Sequence, residues 1–435
     1  MKITSQRGLI RALGLTALII YGVGDILGAG IYALVGKIAG HAGAFTWLSF
    51  AIAMSIVLFT ALSYSELGSR FPKSGGVSVY VQNAFQHKWL SIFAGLLLLC
   101  ATIFSMSTLS QAFANYLATL GLNFPKWVDI LIFFSILFLI NLRGIKQSSI
   151  ANIISTSIEI TGLLIVLICG FLYLSKSTTH SIIATHETMP SIINIFQGAA
   201  LAFFAFIGFE DLVNIAEEMK KPEKNLPRAI LFSLGIAGIL YLSVSWMATA
   251  IIPGPELSQA DAPLFSVVKK SFPPMPVFLF SIIALFAVFN SALLNYITAS
   301  RLLYGMSEEN LLPTFLQKVH QKYHTPYVAI MLVFPLVVGL SVTGTLGGLA
   351  GSASAIMLTV FSLSCAALIR VKLKKEKIDA KIFRIPFFVP CVAIALNLTA
   401  ITFLPVHNLV SAALLVGAGL IICWVSIGAS SRGAF

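Results

Sequence analysis

Apolar residues run along this chain in blocks of about 20, the length a helix needs to cross the hydrocarbon of a bilayer. The blocks fall at 12–36, 43–68, 89–118, 127–142, 150–174, 191–216, 229–252, 276–305, 327–343, 348–370, 386–404 and 407–428. This pattern predicts an all-α polytopic membrane protein with about twelve transmembrane helices. Short polar segments separate the blocks. The one after the fifth holds His180, His186 and Glu187, and the basic run from Arg370 to Arg384 reads as a solvated loop. The proline-rich segment that begins at Pro253 predicts a short amphipathic helix over Pro263–Phe272, serving either as a lid or as a passive loop.

Two blocks are broken in the middle. The first reads Gly22-Val23-Gly24-Asp25-Ile26-Leu27-Gly28-Ala29-Gly30-Ile31. Each glycine costs a helix about 1 kcal/mol relative to alanine, and an unpaired acid in hydrocarbon costs about 2.5–3.5 kcal/mol. A simple anchor has no use for either, so the helix is expected to open here with its backbone facing a cavity. The sixth block has a counterpart in Phe203-Phe204-Ala205-Phe206-Ile207-Gly208-Phe209-Glu210-Asp211. Each break lies in the first block of a group of five, so the second group reads as an inverted copy of the first. The implied organisation is a first repeat over 1–174, a second over 175–370, and two peripheral spans over 371–435. Interrupted segments at corresponding positions are the sequence pointer to a solute site near the membrane midplane.

The chemistry of such a site follows from the unpaired backbone groups at each gap. A half-helix beginning near Gly28 points free N–H groups and a positive dipole end into the cavity, which suits a carboxylate. Gly28 and Gly30 let a ligand approach the backbone closely. A half-helix ending near Ile207 points carbonyls toward an ammonium group. Together the gaps fit the head group of an α-amino acid. The candidate substrate-binding set is Asp25, Gly28, Ala29, Gly30, Ile31, Phe204, Ala205, Phe206, Ile207 and Gly208, with Phe204 or Phe206 placed to close over the ligand or stack on its amine.

Three readings of Asp25 stand side by side: a proton carrier, a partner for the amine of a cationic substrate, or a structural acid capping exposed N–H groups. Glu159, amid Ser155, Thr156, Ser157 and Thr161, and Glu210, just after Gly208, are further candidate proton carriers. Asn290, Ser291 and Asn295 in the eighth block supply oxygens for a coupling cation or bonds between helices.

Composition narrows the class. The 435 residues are 58% hydrophobic and only 10% charged, against about 25% charged in soluble domains, and the mean hydropathy is +0.94. The net charge of +12 would suggest nucleic acid in a soluble protein, but the distribution argues otherwise. With a cytoplasmic N-terminus, the outer loops hold only Lys37, Lys126, Lys176, Lys269 and Lys270 of the 28 basic residues. This is the positive-inside signal, and it implies a multi-pass protein of the cytoplasmic (inner) membrane with both termini in the cytoplasm. The first block follows Lys2, Arg7 and Arg11 and is too long for a cleavable signal, so it reads as an uncleaved span. The five cysteines lie in apolar runs without metal-ligand or CxxC spacing. The run Gly344-Thr345-Leu346-Gly347-Gly348 lacks a P-loop lysine, and Asn397-Leu398-Thr399 falls inside a span. No cofactor or metal is expected.

Four stretches resemble the amino acid–polyamine–organocation transporters. They are Gly28 to Ile31; Ala61-Leu62-Ser63-Tyr64-Ser65-Glu66-Leu67-Gly68-Ser69-Arg70-Phe71-Pro72-Lys73-Ser74-Gly75-Gly76; Phe204 to Glu210 with Ala216 to Pro222; and Ser300-Arg301-Leu302-Leu303-Tyr304-Gly305-Met306-Ser307. The resemblance implies a core of two inverted five-helix repeats plus two helices, discontinuous first and sixth helices, and secondary transport by alternating access. It also implies backbone at Gly28, Ala29 and Gly30 on the substrate carboxylate, carbonyls near Phe204, Ala205 and Ile207 on the amine, and Phe204 as the aromatic gate. This chain departs from the pattern in three places. Glu159 stands where proton-coupled relatives carry a lysine, Asp25 replaces a small or amide residue, and Ala29 lacks a common hydroxyl.

The leading expectation is an amino acid transporter working by proton symport or exchange. A polyamine or organic-amine carrier would welcome Asp25, and a non-transporting sensor of the same fold is a further alternative. A membrane-embedded enzyme would need metal ligands or a nucleophile pair, and the seven histidines include no HExxH.

Overall fold

The computed structural model describes residues 13–73, 76–122, 124–143, 145–176, 189–216, 219–309, 311–321, 323, 325–374 and 382–432, with the side chains of 29, 145–151, 277 and 422–432 left aside. The segment with His180, His186 and Glu187, the Glu217–Glu218 pair and residues 375–381 lie outside this set, as do Lys2, Arg7 and Arg11.

Among the described residues the regular structure is helical, with one isolated bridge between Leu13 and Met219. The first half comprises α1 (Leu15–Ala42), α2 (Thr46–Arg70), α3 (Gly76–Phe85), α4 (Lys88–Thr119), α5 (Lys126–Arg143) and α6 (Ile145–Lys176). The second comprises α7 (Ile192–Ala202), α8 (Asp211–Asn214), α9 (Pro222–Ile251), α10 (Gly254–Gln259), α11 (Pro263–Ser271), α12 (Val277–Glu308), α13 (Tyr327–Thr343) and α14 (Leu346–Leu373). Two more helices, α15 (Phe388–Thr402) and α16 (Val406–Arg432), follow.

Seven helical stretches among the described residues are long and apolar enough to cross a membrane, and eight if α15 and α16 count as one bent pair. The first of these stretches, Leu15–Arg70, holds both α1 and α2 around the short turn Gly43–Phe45. α15 and α16 meet at a bend of 111°, where Pro405 follows the end of α15 and denies it a further backbone donor. α13 has 17 residues, and the 18 residues of α5 include Lys126, Asp129 and Arg143.

Local chemistry sets the ends. Ser191 caps α7 by accepting from the Asn194 N–H at 3.2 Å, Thr345 caps α14 from the Gly348 N–H at 3.3 Å, and Pro222 opens α9 at a position where its missing N–H costs nothing. α11 is amphipathic as its sequence predicts. It buries Pro263, Leu264, Phe265, Val267 and Val268 and ends on Lys269 and Lys270.

α4 is enclosed almost completely by protein and packs most extensively on α12 and α14, while α2 packs on α9. Long-range bonds sort the helix ends into two faces. On one face Lys220 N–H meets Leu13 O at 2.9 Å, Ser69 Oγ donates to Glu223 O at 2.8 Å, and Lys372 Nζ donates to Ile385 O at 2.7 Å. On the other, Lys37 Nζ donates to Ser258 O at 2.8 Å. The first face carries the denser set of basic residues, including Lys220, Lys221, Lys224, Arg370, Lys372 and Lys374.

The first face also holds the two ion pairs among the described residues. Fully buried Glu66 on α2 pairs with Arg70 one turn on and with Lys372 Nζ of α14 at 2.7 Å. The oxygen that pairs with Lys372, Oε2, also accepts the Ile385 N–H at 2.9 Å. The end of α2, the end of α14 and the chain entering α15 are thereby tied together.

Candidate substrate site

Both predicted breaks are present. In α1 the backbone leaves helical geometry at Gly28, with φ −19° and ψ −154°. The sixth span breaks over a longer stretch. α7 stops at Ala202, Phe203–Phe206 form a 3-10 turn, Ile207 is extended, and Gly208 takes φ +131° before α8 begins. Only glycine adopts that last conformation without strain.

The breaks lie against each other. A Cβ on Gly30 would sit 2.5 Å from Ala205 Cα, and one on Gly208 would sit 2.9 Å from the Asp25 carbonyl oxygen and 3.2 Å from Asp25 Cγ. The missing side chains are therefore what let the two opened segments touch. A Cβ on Gly28 would collide with Ser291 Oγ of α12, and one on Gly24 with Thr156 Oγ1 of α6.

A small cavity forms at this contact. It is lined by Asp25, Ile26, Gly28 and Gly30 from α1, by Phe204, Ala205, Ile207 and Gly208 from the sixth span, by Ser105 and Leu109 from α4, and by Ser291 and Asn295 from α12. Its volume of about 20 Å³ is room for about one water.

Opening a helix strands carbonyls, and neighbouring side chains reach in to take them. Tyr241 of α9 donates to Ile26 O at 2.5 Å and lies 3.1 Å from Ala205 O. Asn290 of α12 reaches Gly24 O at 3.5 Å and donates to Asn152 Oδ1 at 3.1 Å. Further along α1, Tyr116 donates to Tyr32 O and Tyr32 to Glu159 O, both at 2.8 Å. In the sixth span the Ile207 N–H bonds Phe204 O at 3.2 Å, and the Gly208 N–H donates to Glu210 Oε2 at 2.9 Å. Glu210 thus caps the break from within its own loop.

The acids differ in their surroundings. Asp211 accepts from Asn214 Nδ2 at 3.4 Å. Asp25 is buried on the cavity wall, and its Oδ2 makes no hydrogen bond. Glu159 is fully buried, and neither carboxylate oxygen is within hydrogen-bonding geometry of a partner. Among the described residues, neither ion pair involves Asp25, Glu159, Glu210 or Asp211.

Of the residues expected from sequence, Asp25, Gly28, Gly30, Phe204, Ala205, Ile207, Gly208, Ser291 and Asn295 meet on the cavity wall. Ile31 is buried behind it, and Phe206 packs edge-on against Phe50 and Tyr241. Glu159, Glu210 and Asn290 stand off the wall, and the Ala29 side chain lies outside the described set. Ser105, Leu109, Tyr241 and Asn152 were not anticipated. Tyr241 carried a readable signal, since a lone phenol in an apolar run needs a buried partner for its hydroxyl.

A sequence model of a family described as "Amino acid permease" matches residues 13–429. The chain is 30% identical over 354 residues to a branched-chain amino acid permease of Bacillus subtilis, covering 75% of this chain and 73% of that one. It is 30% identical over 347 residues to the chloroplastic cationic amino acid transporter 9 of Arabidopsis thaliana, covering 74% of this chain and 59% of that protein. It is 27% identical over 415 residues to a methylthioribose transporter of Bacillus subtilis, covering 90% of this chain and 87% of that one. With apolar helices long enough to span a bilayer and a family match over nearly its whole length, this chain is a multi-pass membrane protein and belongs to the amino acid permease family.

Proposed function

We propose that the protein is a secondary active transporter that carries amino acids across the cytoplasmic membrane by alternating access, as a proton-coupled symporter or an exchanger. The observation that carries this reading is the direct contact of two interrupted helices around one cavity, Gly30 on Ala205 and Gly208 on Asp25. A spanning helix is broken at a cost in hydrogen bonds that a binding cavity justifies. The transporter names of the similar proteins support the same reading and point away from catalysis.

In this account the chain has twelve spans, with repeats over 1–174 and 175–370, a peripheral pair over 371–435 and both termini in the cytoplasm. The gap at Gly28 to Gly30 receives the carboxylate, the Phe204 to Gly208 gap receives the amine, and Phe204 is the gate. Asp25, Glu159 and Glu210 are the coupling acids, with Asn290 and Ser291 as polar neighbours. The absence of a basic partner for these acids among the described residues supports protons over a fixed internal ion pair.

The test is uptake into liposomes holding the purified protein, with a panel of amino acids and amines, with and without an imposed pH gradient. Accumulation of at least one panel member is expected, stimulated by an inward proton gradient or by a trans amino acid. Flux indistinguishable from empty liposomes for every compound would overturn the proposal.

A further inference from the structure

The turn from α3 into α4 carries a recess far along the chain from both helix breaks. His87, Trp89, Leu90 and Phe93 line it, and its volume is about 400 Å³. Trp89 is 45% exposed. The recess sits where α4 begins its long apolar run. It lies on the face that holds the Lys372 bonds, since Lys374 Nζ at the end of α14 donates to Asn83 O at 3.0 Å, four residues before His87. A tryptophan at the head of a spanning helix stands at the level of lipid headgroups.

The charge around the recess has one sign. Lys88 and Lys374 are exposed, and neither enters an ion pair among the described residues. The helices α3, α4 and α14 pack on one another and contain no Asp or Glu. Glu66 on the same face is buried and already paired with Arg70 and Lys372. His87 adds a donor: its Nδ1 accepts the Leu90 N–H at 3.4 Å, so the neutral ring carries its proton on Nε2.

We propose that this recess binds an anionic phospholipid, with an acyl chain against Trp89, Leu90 and Phe93 and the phosphate facing Lys88, Lys374 and His87. A zwitterionic lipid fits less well, because its own cationic head group meets the two lysines as a like charge. The bound lipid bridges α4 of the first half to α14 of the second.

Tryptophan quenching tests the assignment without measuring flux, so its outcome is independent of the transport reading. Purified protein is reconstituted into phosphatidylcholine vesicles doped with brominated-chain phosphatidylglycerol, or with brominated-chain phosphatidylcholine as the reference. The chain has five tryptophans, so the Trp89 signal is taken as the difference between wild type and Trp89→Phe. Two lysines at the headgroup give an expected preference for phosphatidylglycerol of about 10- to 30-fold at Trp89. Lys88→Gln, a change at an exposed side chain, is expected to lower that preference about fivefold. Lys88→Gln with Lys374→Gln is expected to bring it close to parity, and Lys88→Arg with Lys374→Arg to retain it. Lys269→Gln with Lys270→Gln, on α11, is expected to leave it unchanged.

Equal quenching by the two lipids in wild type would overturn the proposal and leave Trp89 an ordinary interfacial residue. So would a preference that survives intact in Lys88→Gln, or one that vanishes with the α11 lysines. Quenching of Trp89 by neither lipid would show the recess to be covered by protein, and would overturn the proposal as well.

Discussion

The hydroxyl of Tyr241 donates to the carbonyl of Ile26 at 2.5 Å, and the same oxygen lies 3.1 Å from the carbonyl of Ala205. One side chain from α9 therefore ties the two opened helices to each other and to a third. Removing it takes the one donor from the buried Ile26 carbonyl, at a cost of about 1–3 kcal/mol. Tyr241→Phe is expected to fold, to lose thermal stability to that extent, and to reduce the maximal uptake rate more than the apparent affinity. Unchanged uptake and melting would mean the tyrosine is a packing residue only.

Gly28 owes its place to Ser291. A Cβ there would occupy the position of Ser291 Oγ and approach Ser291 Cβ to 2.8 Å, yet remain 3.8 Å from Ser291 Cα. Gly28→Ala is therefore expected to impair uptake through overpacking worth about 1–3 kcal/mol, and Ser291→Gly in the same chain is expected to restore much of it. Uptake assays on the single and double variants decide. Failure of the second substitution to help would place the defect in the backbone of the break instead.

Glu159 lies behind the cavity, fully buried and without a hydrogen bond to its carboxylate oxygens. As a coupling acid it must gain and lose a proton in each cycle, whereas Glu159→Gln is permanently neutral. The variant is expected to keep equilibrium exchange of labelled amino acid and to lose stimulation by a pH gradient. Counterflow and gradient-driven uptake, measured on the same preparation, separate the two activities. A Glu159→Gln protein still driven by the gradient would remove this residue from the coupling scheme.

The Glu66 cluster makes a claim about stability. Glu66→Gln leaves Lys372 and Arg70 without their shared anion, and loss of one member of a buried pair costs about 3–5 kcal/mol. Lys372→Met leaves Glu66 paired with Arg70 and bonded to the Ile385 N–H, so a smaller loss is expected. Thermal unfolding in detergent should rank wild type above Lys372→Met above Glu66→Gln. A Glu66→Gln protein as stable as wild type would show the cluster to be energetically idle.

The sequence announced the parts of this fold whose cost shows locally. Glycines and acids inside an apolar run are expensive, so the breaks at Gly28 and around Ile207–Gly208 are legible from the order of residues alone. The amphipathic helix over Pro263–Ser271 is legible for a similar reason, because prolines and paired lysines frame a short apolar face. The partners that repair the breaks are not. Tyr241, Asn152, Ser105 and Leu109 come from helices far along the chain, and their roles appear only when packing brings them to α1 and the sixth span. The 111° bend between α15 and α16 is equally hidden, since two apolar runs joined by a short proline turn read alike whether straight or folded back.

The central claim is that contact between the two broken helices makes the binding site, and Gly30 is where it is most exposed to test. A side chain at Gly30 must displace the Ala205 backbone, 2.5 Å from its Cβ, whereas one at Gly235 on α9 meets nothing within 4 Å. Equilibrium binding of the labelled amino acid that wild-type protein transports should be measured on wild type, Gly30→Leu and Gly235→Ala, each shown to be folded by its melting curve. Wild-type affinity is expected in Gly235→Ala and no measurable binding in a folded Gly30→Leu. Wild-type affinity in Gly30→Leu would contradict the central claim.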